Sequence, residues 1–185
     1  MRTYVRAVVK DRNGQVIKDT GWKRTNTLTK NFYAFLNAAA RDTNTSCIRL
    51  DGTTGTIQAP GEGAQSFMRM RHGEGWDDRG LVVGTGTTSP TRDDYKLESP
   101  ITHGTGIGQL YYGASDVYYG SDHIEVRRSF GNNSGGDITI NEVGLIARYY
   151  DVDAAEVRGA LIARSLFTIT IPDGGSATLY YKISG

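Results

Sequence analysis

From Gly108 to Ile183 the chain is one strand-like segment after another: GQLYYGASDVYY, HIEVRRSF, DITINEVGLIARYY, ALIARSLFTITI and SATLYYKI. Each mixes β-branched and aromatic residues with polar ones at a period of two, the pattern of strands with one buried face. Asn132-Asn133-Ser134-Gly135-Gly136 and Pro172-Asp173-Gly174-Gly175 are strong turn sequences between them. Short strands at such intervals predict a mainly β fold, an antiparallel β-sandwich of jelly-roll-like or Ig-like type. With 24 Gly, 4 Pro and 11 Tyr, the composition fits tight turns joining aromatic-rich strands. Ile138 and Ile140 share one parity, whereas Val143 and Leu145 continue on the other, so a bulge that restores the inward direction is expected near Asn141 to Gly144. The segments Leu161 to Ile171 and Ala177 to Ile183 carry few charges and are expected to pair as central strands.

Residues 1–185 are long enough for one β-rich domain with a substantial core, an N-terminal hairpin and helix in 1–45 and the sandwich in 46–185. YVRAVVKDRNGQVIKDTGW places alternating apolar residues on both sides of Asn13-Gly14, which predicts a hairpin from Thr3 to Trp22 with a two-residue turn. Leu28, Phe32, Phe35, Leu36, Ala39 and Ala40 recur at helical spacing behind the candidate caps Thr25, Asn26 and Thr27, predicting one α-helix from Leu28 to Arg41. SCIRLDGTTGTIQ, the loop APGEGAQ and SFMRMR read as short strands and Gly-rich turns, followed by the polar loop HGEGWDDRG.

Lys and Arg total 21 against 20 Asp and Glu, a net charge of +1 with the signs interspersed. That balance argues against a dedicated nucleic-acid binder, which needs clustered cations against phosphates. The longest apolar runs fall far short of the roughly 20 residues that span a bilayer. Charged residues at Lys10, Asp11, Arg12, Lys18 and Asp19 stand where a signal peptide would need its apolar centre, so assembly in a cytoplasm is expected. Cys47 is alone and is expected to be a small buried residue in SCIRL.

LVVGTGTTSPTRDDYKLESPI, with Gly84, Gly86 and Ser89, has nearly the glycine spacing of a phosphate loop. Such a loop works by aiming free helix-terminal amides at the anion, and here Pro90 intervenes and the Walker lysine is missing. A glycine turn leaving a strand, then one helical turn with Thr91 and Asp94 as a capping box, accounts for the stretch. His72, His103 and His123 have no second ligand at metal-site spacing. Asp77-Asp78 and Asp93-Asp94 read as solvated turns, since adjacent side chains diverge. No nucleophile sits in a catalytic motif, so no catalytic, cofactor-binding or metal residues are assigned and no cofactor is expected. The pairs Tyr111-Tyr112, Tyr118-Tyr119, Tyr149-Tyr150 and Tyr180-Tyr181 send one ring to each side of a strand. One ring of each pair can fill the core, leaving the other for a subunit contact, open surface or a sugar, and Trp76 beside Asp77 and Asp78 is a candidate glycan platform.

VVGTGTTSPTRDDYKLESPITHGTGIGQLYYG, then RRSFGNNSGGDITINEVGL, then LIARSLFTITIPDGGSATLYYKI resembles, in this order, a group of structural proteins of tailed bacteriophages and related prokaryotic viruses. The resemblance covers Leu81 to Ile183. It implies a non-enzymatic virion component, a symmetric homo-oligomer decorating or stabilising the capsid exterior, with a tail, neck or baseplate component as the alternative. Its implied partners are copies of itself and other virion proteins such as major capsid or tail proteins. A module binding a host glycan or receptor is the further alternative; neither membrane nor direct nucleic-acid contact is expected.

Overall fold

The computed structural model describes residues 1–25, 27–63 and 66–185, apart from the Glu62 side chain. The chain is mainly β, built of two antiparallel sheets, one of them curled into a half-barrel, with one short helix. The strands are β1 (Arg2–Lys10), β2 (Val16–Asp19), β3 (Lys23–Thr25), β4 (Thr45–Ile48), β5 (Thr54–Ile57), β6 (Gly80–Gly84), β7 (Tyr111–Tyr119), β8 (His123–Gly131), β9 (Ile138–Asp151), β10 (Glu156–Ile171) and β11 (Ser176–Ser184). The helix, α1, is Lys30–Arg41. The first sheet runs β2-β1-β11-β8-β7, with β3 also on β1; the second runs β10-β9-β5-β4, with β6 also on β9.

Alternation decides what each strand buries. Val5, Ala7 and Val9 of β1, Leu179 and Tyr181 of β11, and Val126 and Phe130 of β8 meet Leu81 and Val83 of β6, Val143 and Leu145 of β9, and Phe167 and Ile169 of β10 in one core. Tyr112 crosses it edge-on to Phe130, with ring centroids 4.9 Å apart, and its hydroxyl donates to Ile101 O at 2.6 Å. The Ser165 and Tyr181 hydroxyls are 3.0 Å apart and tie the two sheets directly. Arg128 is also buried between the sheets, donating from Nε to Gly113 O at 2.7 Å and from Nη1 to Arg79 O and Leu81 O at 3.0 and 3.1 Å.

Most predicted strands form, but their details differ instructively. The first hairpin closes through Asp11–Gln15 instead of a two-residue turn: Asp11 accepts the Asn13 and Gln15 amides at 2.9 Å, and of Asn13 and Gly14 only Gly14 has positive φ, at 78°. The helix begins at Lys30, because Thr27 to Thr29 run extended along β10, with Arg164 N donating to Thr27 O and Thr29 N to Ile162 O. The true cap residue is Thr29, whose hydroxyl donates to Leu161 O at 2.6 Å; the candidate cap Asn26 and the loop residues Ala64 and Gln65 lie outside the described residues. Asn31, Phe32, Phe35 and Ala38 are the buried helical face, while Leu36, Ala39 and Ala40 are exposed. SFMRMR is not a strand: Met68 takes φ 49°, which breaks the extended run and leaves a single bridge from Arg69 to Arg148.

The expected pairing of the two charge-poor segments does not occur. β11 is central, between β1 and β8, but β10 pairs with β9 alone. Its low charge has another cause, because its free side is covered by Thr27 to Thr29 and its outer face by the excursion after β6. The register shifts where the bulge is expected, with Ile140 opposite Ile169 but Glu142 opposite Leu166, and the extra residue of the pairing lies in β10 and not in β9.

The alternation predicts unequal costs for two leucine truncations. Leu145→Ala, in the core, should lower unfolding stability by about 2–5 kcal/mol, whereas Leu166→Ala, 41% exposed, should cost below about 1 kcal/mol. Urea unfolding of both variants checks this.

Candidate interaction surface

The glycine stretch after β6 does surround an anion, and the anion is a side chain of the same molecule. The chain leaves the sheet at Gly84 and returns at Ile101, with Thr85 N donating to Ser99 O at 2.8 Å and Ile101 N to Val83 O at 3.0 Å. The amides of Gly86, Glu98 and Ser99 donate to the fully buried Glu142 carboxylate at 3.2, 3.1 and 2.8 Å. A Cβ at Gly84 or Gly86 would lie 2.5 or 2.6 Å from Glu142 Oε1, so both positions need glycine for this approach. The buried Arg164 completes the site, donating from Nε to Glu142 at 2.7 Å, from Nη1 to Asp94 at 2.8 Å and from Nη2 to Thr88 O at 3.2 Å. Of the expected capping box only one half forms: the Thr91 amide and hydroxyl both donate to the Asp94 carboxylate, at 3.0 and 2.8 Å, while the Asp94 amide donates to Thr91 O, in a turn that has no helix behind it.

The titrations follow from these contacts. Burial alone would raise the Asp94 carboxyl, but hydrogen bonds from Arg164 and Thr91 reverse this and hold it below its ordinary value. Glu98 is lowered by the Thr88 amide and hydroxyl. Arg164 is held above its ordinary value despite burial by Asp94 and Glu142. A second network locks the other turns: the buried Asn132 donates to Gly136 O and Ile171 O at 2.8 and 2.9 Å, and Asp173 accepts the Gly135 amide at 3.0 Å. The motifs from GTGTT to EVGL therefore meet at one carboxylate, and NNSGG meets PDGG at one asparagine.

The remaining candidates are dispersed. His72 bonds Arg69 O at 3.2 Å and is lowered to about 4 by burial. His103 Nδ1 accepts the Tyr112 amide at 3.1 Å, and His123 Nδ1 lies 2.8 Å from Asp122. Asp77 accepts the His103 amide at 2.7 Å, whereas Asp93 pairs with Lys30. Asp78 is held by both Nε and Nη2 of Arg79, whose guanidinium carbon lies 3.7 Å from the Trp76 ring centroid. One face of the candidate glycan platform is thus covered by a cation. Cys47 is buried, and burial pushes its thiol up to about 11.

Three tyrosine pairs split as their strands demand, with Tyr112, Tyr149 and Tyr181 buried and Tyr111, Tyr150 and Tyr180 open to some degree. Tyr118 and Tyr119 are both exposed, since β7 there runs past the core. On the outer face of the first sheet, cations lie over the rings: Lys182 Nζ is 4.2 Å from Trp22 and 5.3 Å from Tyr4, and Arg127 is 4.2 Å from Tyr118. At one end, Met1, Phe32, Leu36, Met68, Tyr119 and Ile124 line a largely apolar groove of about 370 Å³. Met1 is 67%, Leu36 40% and Tyr119 79% exposed. At the first sheet's side, β2 presents Val16 and Ile17, 57% and 56% exposed.

Sequence reasoning assigned neither the carboxylate cradle nor the groove. The first had a signal, a lone Glu142 and a lone Arg164 inside apolar strands; the second is assembled from residues remote in the chain and had none. The chain matches no protein-family model, no curated protein and no solved structure.

Two outcomes follow for the cradle. Glu142→Ala, which strips Arg164 and three amides of their acceptor, should cost about 3–5 kcal/mol, measured by urea unfolding. Because Asp94 and Glu98 are held below their ordinary values of 3.8 and 4.5, the stability they contribute should be present above those values and be lost as pH falls through the depressed folded values. A stability profile that rises on acidification would contradict this.

Proposed function

We propose that this chain is a structural subunit of a tailed phage virion, a symmetric oligomer that decorates or stabilises the capsid exterior. The two sheets are read as a β-sandwich of jelly-roll-like or Ig-like type, and the chain performs no catalysis. The observation that carries the reading is the apolar groove at Met68 and Tyr119, with Leu36 and Met1 open beside it. Contiguous apolar surface of this kind is unfavourable in water and marks a contact with another protein. A second copy of the chain is its occupant, as symmetric assembly reuses one patch on every subunit. The ordered motifs of residues 81–183, which resemble those of phage structural proteins, point the same way, as does the interspersed charge, which suits protein contacts better than nucleic acid. Burial of these side chains in the assembled particle stabilises it by mass action.

Two measurements test this. Light scattering coupled to size exclusion should return a mass that is a multiple of 20.2 kDa, and Leu36→Glu with Tyr119→Glu should return the monomer; a monomeric parent protein overturns the oligomer. Quantitative mass spectrometry of purified virions of the encoding phage should then count hundreds of copies for a capsid role. A dozen or fewer transfers the chain to the neck, tail or baseplate, and its absence from particles overturns the virion reading.

A further inference from the structure

A cavity of about 300 Å³ opens on the outer side of the second sheet, where the turn after β4, the segment before β6 and the β9–β10 hairpin meet. Its lining includes four guanidinium side chains, Arg49, Arg79, Arg148 and Arg158, against the three carboxylates Asp51, Asp78 and Glu156. All but one of these charges has a partner. Arg49 Nε donates to Asp151 at 2.7 Å, Arg79 holds Asp78 through two nitrogens, and Arg158 Nη2 pairs with Glu156 at 2.5 Å. Asp51 accepts the Thr53 amide and hydroxyl and lies 3.9 Å from Arg158 Nη1.

Arg148 is the exception. Among the described contacts it donates one hydrogen bond, from Nη2 to Val157 O at 2.7 Å, and it pairs with no carboxylate. Its Nε is enclosed without an acceptor, as is Arg158 Nε in the same lining, but Arg158 has carboxylate partners and Arg148 has none. The two fully buried arginines are met differently: Arg164 by carboxylates and Arg128 by three carbonyl oxygens that leave its Nη2 without an acceptor, whereas Arg148 is half-buried. A guanidinium withdrawn from water without a counter-charge is costly. Burial, and then the nearby Arg79, depress the charged form of Arg148, while Asp78 only partly offsets them. An anion seated in the cavity offsets that charge, and the planar fork of Arg favours a tetrahedral or planar oxyanion with two acceptor oxygens. The surrounding cations are already fixed, Arg79 between Trp76 and Asp78 and Arg49 on Asp151, so little ordering remains to be done on binding.

We propose that this cavity is a binding site for a small oxyanion of the phosphate type, with Arg148 as its principal ligand and Arg49, Arg79 and Arg158 supplying the positive surroundings. The site is independent of the virion reading, because it lies on the second sheet and uses none of the groove residues.

The test is thermal unfolding of the full chain at pH 7 with inorganic phosphate, against sodium chloride at equal ionic strength. Phosphate about tenfold above its fitted Kd should raise Tm by about 3–6 °C, and the 31P resonance of phosphate should broaden on adding protein. Arg148→Met should abolish both effects, and Arg127→Met, on the outer face of the first sheet, should retain them. If Arg148→Met fails to fold, Arg148→Lys keeps the charge without the fork and should bind about tenfold more weakly. Unchanged affinity in either Arg148 variant, or no phosphate effect on the parent, overturns the site. Acetate matching phosphate mole for mole overturns the phosphate class in favour of a carboxylate.

Discussion

The buried pair of Arg164 and Glu142 organises the second sheet and everything laid over it. A guanidinium and a carboxylate inside a protein each demand several partners, since each has lost its hydration. Here the demand is met by a loop. Amides from Gly86, Glu98 and Ser99 satisfy Glu142, while Asp94 and Thr88 satisfy Arg164. The 85–99 excursion therefore has a defined path despite containing no regular structure, and it turns the outer face of β9 into a second interior. The same arrangement explains why a phosphate-loop pattern occurs without a phosphate: converging amides serve any oxyanion, including one the chain supplies itself.

Much of the fold was legible because alternation and turn chemistry are local. DITINEVGLIARYY and ALIARSLFTITI are strands whatever surrounds them, and the parity change between Ile140 and Val143 carried enough information to place an irregularity. Partnership was less legible. β10 has few charges because it is covered from the side and from above by loops, and sequence alone does not distinguish this from a neighbouring strand. The helix was read two residues too long for the same reason, Leu28 being held extended by a bridge to Ala163. The groove is the limiting case: Met1, Leu36, Met68 and Tyr119 come from four separate segments, and no local pattern announces their meeting.

The charged interior also sorts the surface. Arg164 is consumed by carboxylates and Arg128 by carbonyls that leave its Nη2 unmatched, and Arg6 and Arg127 on the outer face of the first sheet lie over aromatic rings. Arg148 falls in neither group. A half-buried cation with no carboxylate beside it stands out among the paired arginines of its own cavity.

The pairing of β1 with β11 has a consequence for biosynthesis. All nine residues of Arg2–Lys10 are in register with Ser176–Ser184, so β1 waits for a partner translated more than 160 residues later. Until β11 has emerged, β1 and β8 have no shared neighbour and the first sheet cannot close, whereas β9 and β10 can already pair as a long hairpin. Loop-closure entropy thus favours the β9–β10 hairpin forming before β1 meets β11. The nascent chain must keep Val5, Ala7 and Val9 soluble throughout that interval, and a ribosome stalled before β11 leaves a product with an unmatched edge, a natural substrate for chaperones.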